Sequence, residues 1–584
     1  NQSWHSFCET ATAGYDQGND PWKPPDRRDV LGKHLDDCYE QVKKNIYEKA
    51  NPGEKVPWVL TLDGWDNIQK LKLINFNLVG PIAALFAKIL NCDGAHPTAS
   101  WIKDTVITFI EDKGGLGKFV QVIMDNTSAN VNAGERIEQH YRFKLIVSGC
   151  IPHWLNLVFK EICDLPYVSK VFNKMKEVVV FFNTRKTLYL PLLHKFMRGE
   201  DGKGLITALL GYTPTRFYSL STMVRSAIRA KTALVACVMS MDWEQERRRL
   251  DSDGRAKVDS IKQICTDTSN WLRAEALVRF LSPLVTIQLF MGKDRGDVLP
   301  FFIPMFMSLK DLWDAQLAND CNKGFAGVKH SFALQANAKL WNKLEKFDHP
   351  IYSVACLLHP LNFVEKSEHL AKADGYPYQS LGAGEIPAGN MRRELEKAFG
   401  VFIDTYCDED DRLDLREEID WYLDKDTDKF ISEAWSDRAL VKYMFDSAGW
   451  WKVYGKKTPK LRLLAMCRTQ RCKPSSSSAE RNWNIWGIVQ SNLRNRLLLE
   501  KAEKLVFIYQ NIRTLRQITD NPRWSPNLNY RGDDDDDDDL IADTDDFDEE
   551  ELLAWWDAFV KTAKEQMTNF VDDDDDDDEE ELPA

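Results

Sequence analysis

Two apolar runs, each ending in a lone carboxylate, constrain the fold of this chain more than any other feature. Val56-Pro57-Trp58-Val59-Leu60-Thr61-Leu62 delivers Asp63 and then Gly64, and Phe119-Val120-Gln121-Val122-Ile123-Met124 delivers Asp125 and Asn126. Short continuous runs rich in Val, Ile, Trp and Thr predict strands buried on both faces. An acid at the C-terminal end of such a strand emerges at the rim of a sheet, which is where open α/β folds place their chemistry. Two carboxylates at strand ends supply hard oxygen ligands of the kind that a divalent cation takes.

The segments around these runs follow an order. After the first strand, Leu73 to Val79 and Ile82 to Leu90 read as strands two and three. Thr98 to Asp112 has helical period, Phe119 to Met124 is the fourth strand, Ser128 to His140 a helix, and Lys144 to Val147 a short fifth strand. Three early strands on short turns predict an antiparallel meander, followed by crossovers to further strands. This is the order of a ribonuclease H-like sheet. From His153 to Trp450 apolar residues recur at three and four spacing, with almost no alternating runs, so a large helical lobe is expected. Pro474-Ser475-Ser476-Ser477-Ser478 then breaks the pattern, and Ser478 is a candidate N-cap for a helix whose first turn carries Glu480. The fold class is therefore α/β plus α: an RNase H-like mixed sheet interrupted by an all-helical insertion, with an acidic tail that cannot fold alone. The expected division is a leader and helix over 1–56, first sheet part over 57–165, insertion over 166–449, last part over 450–515 and tail over 516–584.

Charge sharpens the reading. The net charge of the 584 residues is −14, but residues 533–584 carry 26 acids against 2 lysines, or −24, which leaves +10 for the body. A basic body with an acidic tail is compatible with nucleic acid binding, although charge alone does not choose between nucleic acid, a membrane surface and an acidic protein. The 12 cysteines are scattered without a Cys-x-x-Cys pair and read as reduced, intracellular thiols. No apolar stretch reads as long enough to cross a bilayer, and no membrane partner is expected.

Five stretches in order carry a resemblance: Leu60-Thr61-Leu62-Asp63-Gly64-Trp65; Met124-Asp125-Asn126-Thr127-Ser128-Ala129-Asn130; Cys150-Ile151-Pro152-His153-Trp154-Leu155-Asn156-Leu157-Val158; Thr215-Arg216-Phe217; and Ser477-Ser478-Ala479-Glu480-Arg481-Asn482-Trp483. In this order, with a helical insertion between the fourth and fifth, the chain resembles transposases of the hAT superfamily from about Arg27 to Arg513. The resemblance implies a nuclear DNA transposase, with Asp63, Asp125 and Glu480 as catalytic acids holding two Mg²⁺ or Mn²⁺ ions. It implies active-site support from Cys150 and His153, with Arg216 and Phe217 as DNA contacts. Phe217 stands where many members have Trp. It further implies a homodimer or higher oligomer, with Trp483, Trp486, Leu493 and Leu497 as candidates for crossing to the partner. Nothing before Asp63 has the Cys/His spacing of the BED finger that many members use to bind transposon ends, so either the fragment begins after it or this copy lost it. The alternative is a domesticated or inactive relative that binds DNA and dimerises without cutting.

Overall fold

A computed structural model describes residues 32–33, 35–50, 57–80, 83–92, 97–197, 208–213, 216–293, 297–318, 330–344, 347, 349–363, 388–490 and 497–520. Leu493, Thr215, most of the 373–389 loop, the leader before residue 32 and the acidic tail lie outside them.

Five strands form one mixed sheet: β1 (Trp58–Asp66), β2 (Lys72–Val79), β3 (Ala84–Asn91), β4 (Phe119–Met124) and β5 (Ile146–Gly149), in the order β3-β2-β1-β4-β5. β1 pairs antiparallel with β2, and β2 with β3, as the meander required. The register sets Asp63 opposite Asn75 and Thr61 opposite Asn77. In chain order the helices of the sheet region are α1 (Leu35–Ala50), α2 (Ala99–Asp112), α3 (Ser128–His140) and α4 (Ile151–Cys163). Then come α5 (Pro166–Thr184), α6 (Tyr189–Met197), α7 (Tyr218–Arg229), α8 (Lys231–Met239), α9 (Met241–Arg248), α10 (Ser252–Thr266), α11 (Thr268–Met291), α12 (Phe302–Ala318), α13 (His330–Leu344) and α14 (Pro350–Leu357). The last are α15 (Ala388–Tyr406), α16 (Glu409–Leu423), α17 (Asp437–Lys442), α18 (Ser447–Tyr454), α19 (Pro459–Cys467), α20 (Ser477–Val489) and α21 (Leu499–Asp520).

The chain divides into two compact units. The first takes the described residues up to Val122 together with those from Ser476 to Asp520; the second takes Ile123 to Ser475.

In the first unit, β1 is buried from Trp58 through Leu62 and alternates only from Asp63 onward, so the acid sits where the strand leaves the core. β2 alternates Leu73, Asn75 and Asn77 with Ile74, Phe76 and Leu78, yet Asn75 and Asn77 are both buried. Their amides need partners inside, because a buried amide without one costs about 1–3 kcal/mol. α21 lies over β3 and α1, with Phe507 against Tyr39 and Phe86 at centroid distances of 4.6 and 6.1 Å. Lys504 reaches Asp36 at 2.8 Å.

In the second unit α11 forms the centre. From Ala276 to Gln288 every residue but Arg279 is buried, which suits a helix enclosed by others. Leu277, Leu281, Leu284, Ile287 and Met291 are fully buried. This corrects the expectation drawn from hydropathy: α11 is long and apolar enough to cross a membrane by composition, but 78% of its most apolar window is buried inside the protein. Its apolar residues are spent on core contacts. Trp243 closes one cluster with Phe181, Phe182 and Tyr189, and Tyr422, Phe430, Trp435, Trp450 and Trp451 form another. The acidic run from Asp408 to Asp414 is a helix start, with Asp408 at the N-cap of α16 and Glu409, Asp410 and Asp411 in its first turn. There carboxylates meet the positive end of the helix dipole.

Candidate active site

The first unit fixes two of the three motif acids. α20 presents Ser478, Ala479, Asn482, Trp483 and Trp486 to the interior, a stripe at three and four spacing. That stripe is half polar, and it meets the two buried asparagines of β2. Asn75 Nδ2 donates to Ala479 O at 2.7 Å, and Asn482 Nδ2 donates to Asn77 Oδ1 at 2.7 Å. Thr61 and Ser478 share a hydroxyl hydrogen bond of 3.1 Å. At the far end, Asn67 Nδ2 and Trp486 Nε1 both donate to Gln490 Oε1, at 3.1 and 2.9 Å. Ser478 is therefore not the cap: Ser476 occupies the N-cap position, and the Ser478 hydroxyl lies two residues on, in the first turn, paired with Thr61 of β1. A first-turn hydroxyl facing a buried Thr gains more by pairing with it than by capping.

Glu480, half-buried, follows Ala479 directly and precedes Trp483 by three residues. Trp483 Nε1 donates to Asp63 Oδ2 at 2.7 Å, and its ring stacks on Trp65 with centroids 5.2 Å apart. The turn carrying Glu480 is thus held through Ala479 to Asn75, the register partner of Asp63, and through Trp483 to Asp63 itself. Of the four residues expected to cross to a partner, Trp483 and Trp486 are buried within this unit, Leu497 is half-buried and Leu493 is outside the described residues.

The second unit holds the remaining motif residues. Asp125 leaves β4 and turns into α3. Its Oδ1 accepts from Thr127 N at 3.0 Å and Asn130 Nδ2 at 2.5 Å, while Thr127 caps α3 by accepting from Asn130 N. Both bonds to Asp125 fall on one oxygen, so the carboxylate is oriented by its own loop. Asn126 Nδ2 donates to Cys150 O at 2.9 Å, and Cys150 N donates to Met124 O at 2.9 Å. Cys150, fully buried, stands at the N-cap position of α4, and Ile151 N donates to Pro474 O. The Cys-x-x-His segment therefore ties the β4 end to Pro474 at the start of the serine run.

His153 is half-buried one turn into α4. Asn156 and Lys160 follow on the same face, and both reach the Arg216-Phe217 segment. Asn156 Oδ1 accepts from Phe217 N at 2.7 Å, and the Lys160 ammonium sits 5.7 Å from the Phe217 ring centre. Phe217 and Arg216 are half-buried. A partly open aromatic face beside a cation is the type of surface on which an unpaired base stacks.

Asp63 and Glu480 belong to the first unit and Asp125 to the second; the resemblance made all three the expected donors for Mg²⁺ or Mn²⁺. Their hard oxygens suit such ions. Among the described residues, however, no three His, Cys, Asp or Glu side chains are gathered closely enough to hold a metal ion. Asp63 and Asp125 each have an oxygen engaged by a protein N–H instead.

Sequence reasoning missed the residues that do the fastening: Asn75, Asn77, Asn156, Lys160 and the indole of Trp483. The signal for the first two was present, because two asparagines at i and i+2 in an apolar strand share one face and demand partners.

Residues 25–178 match a family model described as "Domain of unknown function (DUF659)". This is a domain found in hAT-type transposase-like proteins, and the matched stretch contains Asp63, Asp125, Cys150 and His153. No curated protein matches the chain.

Proposed function

We propose that this chain is a hAT-like DNA transposase, a metal-dependent nuclease and strand transferase acting on the ends of a mobile element in the nucleus. The observation that supports it best is the fastening of the α20 first turn beside Asp63. Residues 417 positions apart in sequence meet through Thr61 and Ser478, and the acid of each motif is set at the edge of that junction. Asp63, Asp125 and Glu480 are the proposed acids. Mg²⁺ or Mn²⁺ enters through the chemistry of those oxygens alone, and no reaction step is derived from it. Cys150 and His153 support the Asp125 loop, and Arg216 with Phe217 contacts DNA. Self-association is proposed for the same unit. With Trp483 and Trp486 turned inward, the exposed Ile488, Leu498 and Tyr509 are better placed than those two to meet a second copy.

The test is nicking of a terminal-inverted-repeat duplex by the full chain with Mn²⁺. Cleavage lost in Asp125→Asn, with DNA binding kept, is the expected result. A chain that binds the duplex and never cuts it overturns the transposase reading in favour of a domesticated DNA-binding relative. That second reading draws on one observation: Asp63 and Asp125 are each satisfied by protein donors.

A further inference from the structure

Trp483 is placed unlike any other tryptophan of α20. Its side chain is 9% exposed, and a buried indole N–H must find an acceptor. The acceptor it takes is a carboxylate, Asp63 Oδ2, at 2.7 Å, the short end of the range for charge-assisted bonds. Its ring meanwhile lies on Trp65 at an interplanar angle of 27°. Asp63 and Trp65 are two apart on β1 and so share one face of the strand. One side chain therefore grips two successive positions of that face, a polar grip on the acid and an apolar grip beyond it. The stack prevents the indole from swinging off the carboxylate. Trp486, three residues later, gives its N–H to Gln490 of its own helix, which serves the fold alone.

We infer that Trp483 is a positioning residue for Asp63, holding its carboxylate in one orientation and coupling it to the helix turn that carries Glu480. The assignment rests on the reading of Asp63 and Glu480 as reacting acids. A carboxylate at the half-buried part of β1, where the strand leaves the core, gains a fixed orientation from a directional N–H donor. An N–H fixed on Oδ2 leaves Oδ1 facing one direction. Because the donor belongs to α20, any movement of the Glu480 turn is transmitted to Asp63. Partners that orient a ligating or reacting carboxylate typically change activity by 10–100-fold when removed. Phe at position 483 would keep the stack and lose the bond, whereas a smaller polar donor would lose the stack.

The experiment uses the full chain labelled with [¹⁵N]tryptophan. The Trp483 indole resonance is assigned by its disappearance in Trp483→Phe. It is expected to shift strongly in Asp63→Asn and to be protected from solvent exchange. In parallel, Trp483→Phe is expected to lower kcat for Mn²⁺-dependent nicking by about tenfold or more with KM for DNA unchanged. Its Tm should fall no further than that of Trp486→Phe, which removes the neutral indole bond of the same helix. An indole resonance indifferent to Asp63→Asn, or a Trp483→Phe chain that nicks at the wild-type rate, overturns the positioning role and leaves the transposase reading standing. A wild-type chain that never nicks overturns both.

Discussion

Asn511 of α21 clamps the backbone of Phe86 on both sides, accepting from its N–H at 3.2 Å and donating to its carbonyl at 3.0 Å. Phe86 lies on β3, an end strand of the sheet. Three residues along, Glu503 accepts from Ile89 N at 2.9 Å. End strands offer unpaired backbone groups to other chains, and proteins protect them by covering. Here two side chains of one helix stand in for a sixth strand.

That clamp gives the first prediction. Asn511→Ala leaves the Phe86 N–H and carbonyl buried without partners, at about 1–3 kcal/mol for each group. Urea denaturation is expected to show a loss of about 2–6 kcal/mol. Light scattering is expected to show faster aggregation than wild type, and a variant as stable and monodisperse as wild type would refute the clamp.

Gly149 at the end of β5 gives the second. A Cβ there would stand 1.9 Å from Asn126 Oδ1 and 2.8 Å from the Phe347 ring. Asn126 is the neighbour of Asp125 and holds Cys150 O. Gly149→Ala is expected to cost about 1–3 kcal/mol by overpacking. It should also push Asn126 off Cys150, which amide hydrogen exchange in the 124–130 loop would register as faster opening.

Acid sensitivity gives the third. His359 is fully buried, its Nε2 within 3.1 Å of Met444 O, and burial pushes its imidazole down to about 4. The unfolded residue titrates near 6.5. Between those values the unfolded chain takes up a proton that the folded chain refuses. This contribution to stability is therefore complete above about pH 6.5 and is lost as pH falls toward 4, amounting to about 3 kcal/mol. His359→Gln is expected to flatten the dependence of unfolding free energy on pH in that window. An unchanged slope would place the titration elsewhere.

The fourth concerns nucleic acid. Phe217→Ala should weaken binding to a single-stranded or gapped DNA by about 1–3 kcal/mol, the value of one stacked base. Its salt dependence should match wild type. Lys160→Ala should instead reduce the salt slope by about one. Equal behaviour of the two variants in fluorescence anisotropy titrations would argue against separate stacking and phosphate roles.

How far the sequence was readable depended on how local the cause was. All five strands and the helices from Ser128 to His140 and Ala99 to Asp112 were visible, because burial imposes its period on neighbouring residues. α11 was read as part of the helical lobe, but its length and apolarity were underestimated, because a helix enclosed by others and a bilayer-spanning one satisfy the same composition rule and differ only in what surrounds them. Trp483 stood as a candidate for crossing to a partner, and an aromatic after a helix cap carries no mark of its acceptor. Its acceptor lies 420 residues earlier. The bonds of Asn75 and Asn77 to α20 span more than 400 residues, so the need for partners was legible and their identity was not.

That separation bears on how the molecule is made. The meander β1-β2-β3 leaves the ribosome long before α20 and α21 exist, with Asn75 and Asn77 unpaired and the β3 edge bare. Domains otherwise form as units during synthesis, and contacts between distant segments are the slowest to close. The nascent sheet must remain unfinished while everything between β3 and α20 is translated, a period in which its open side is exposed.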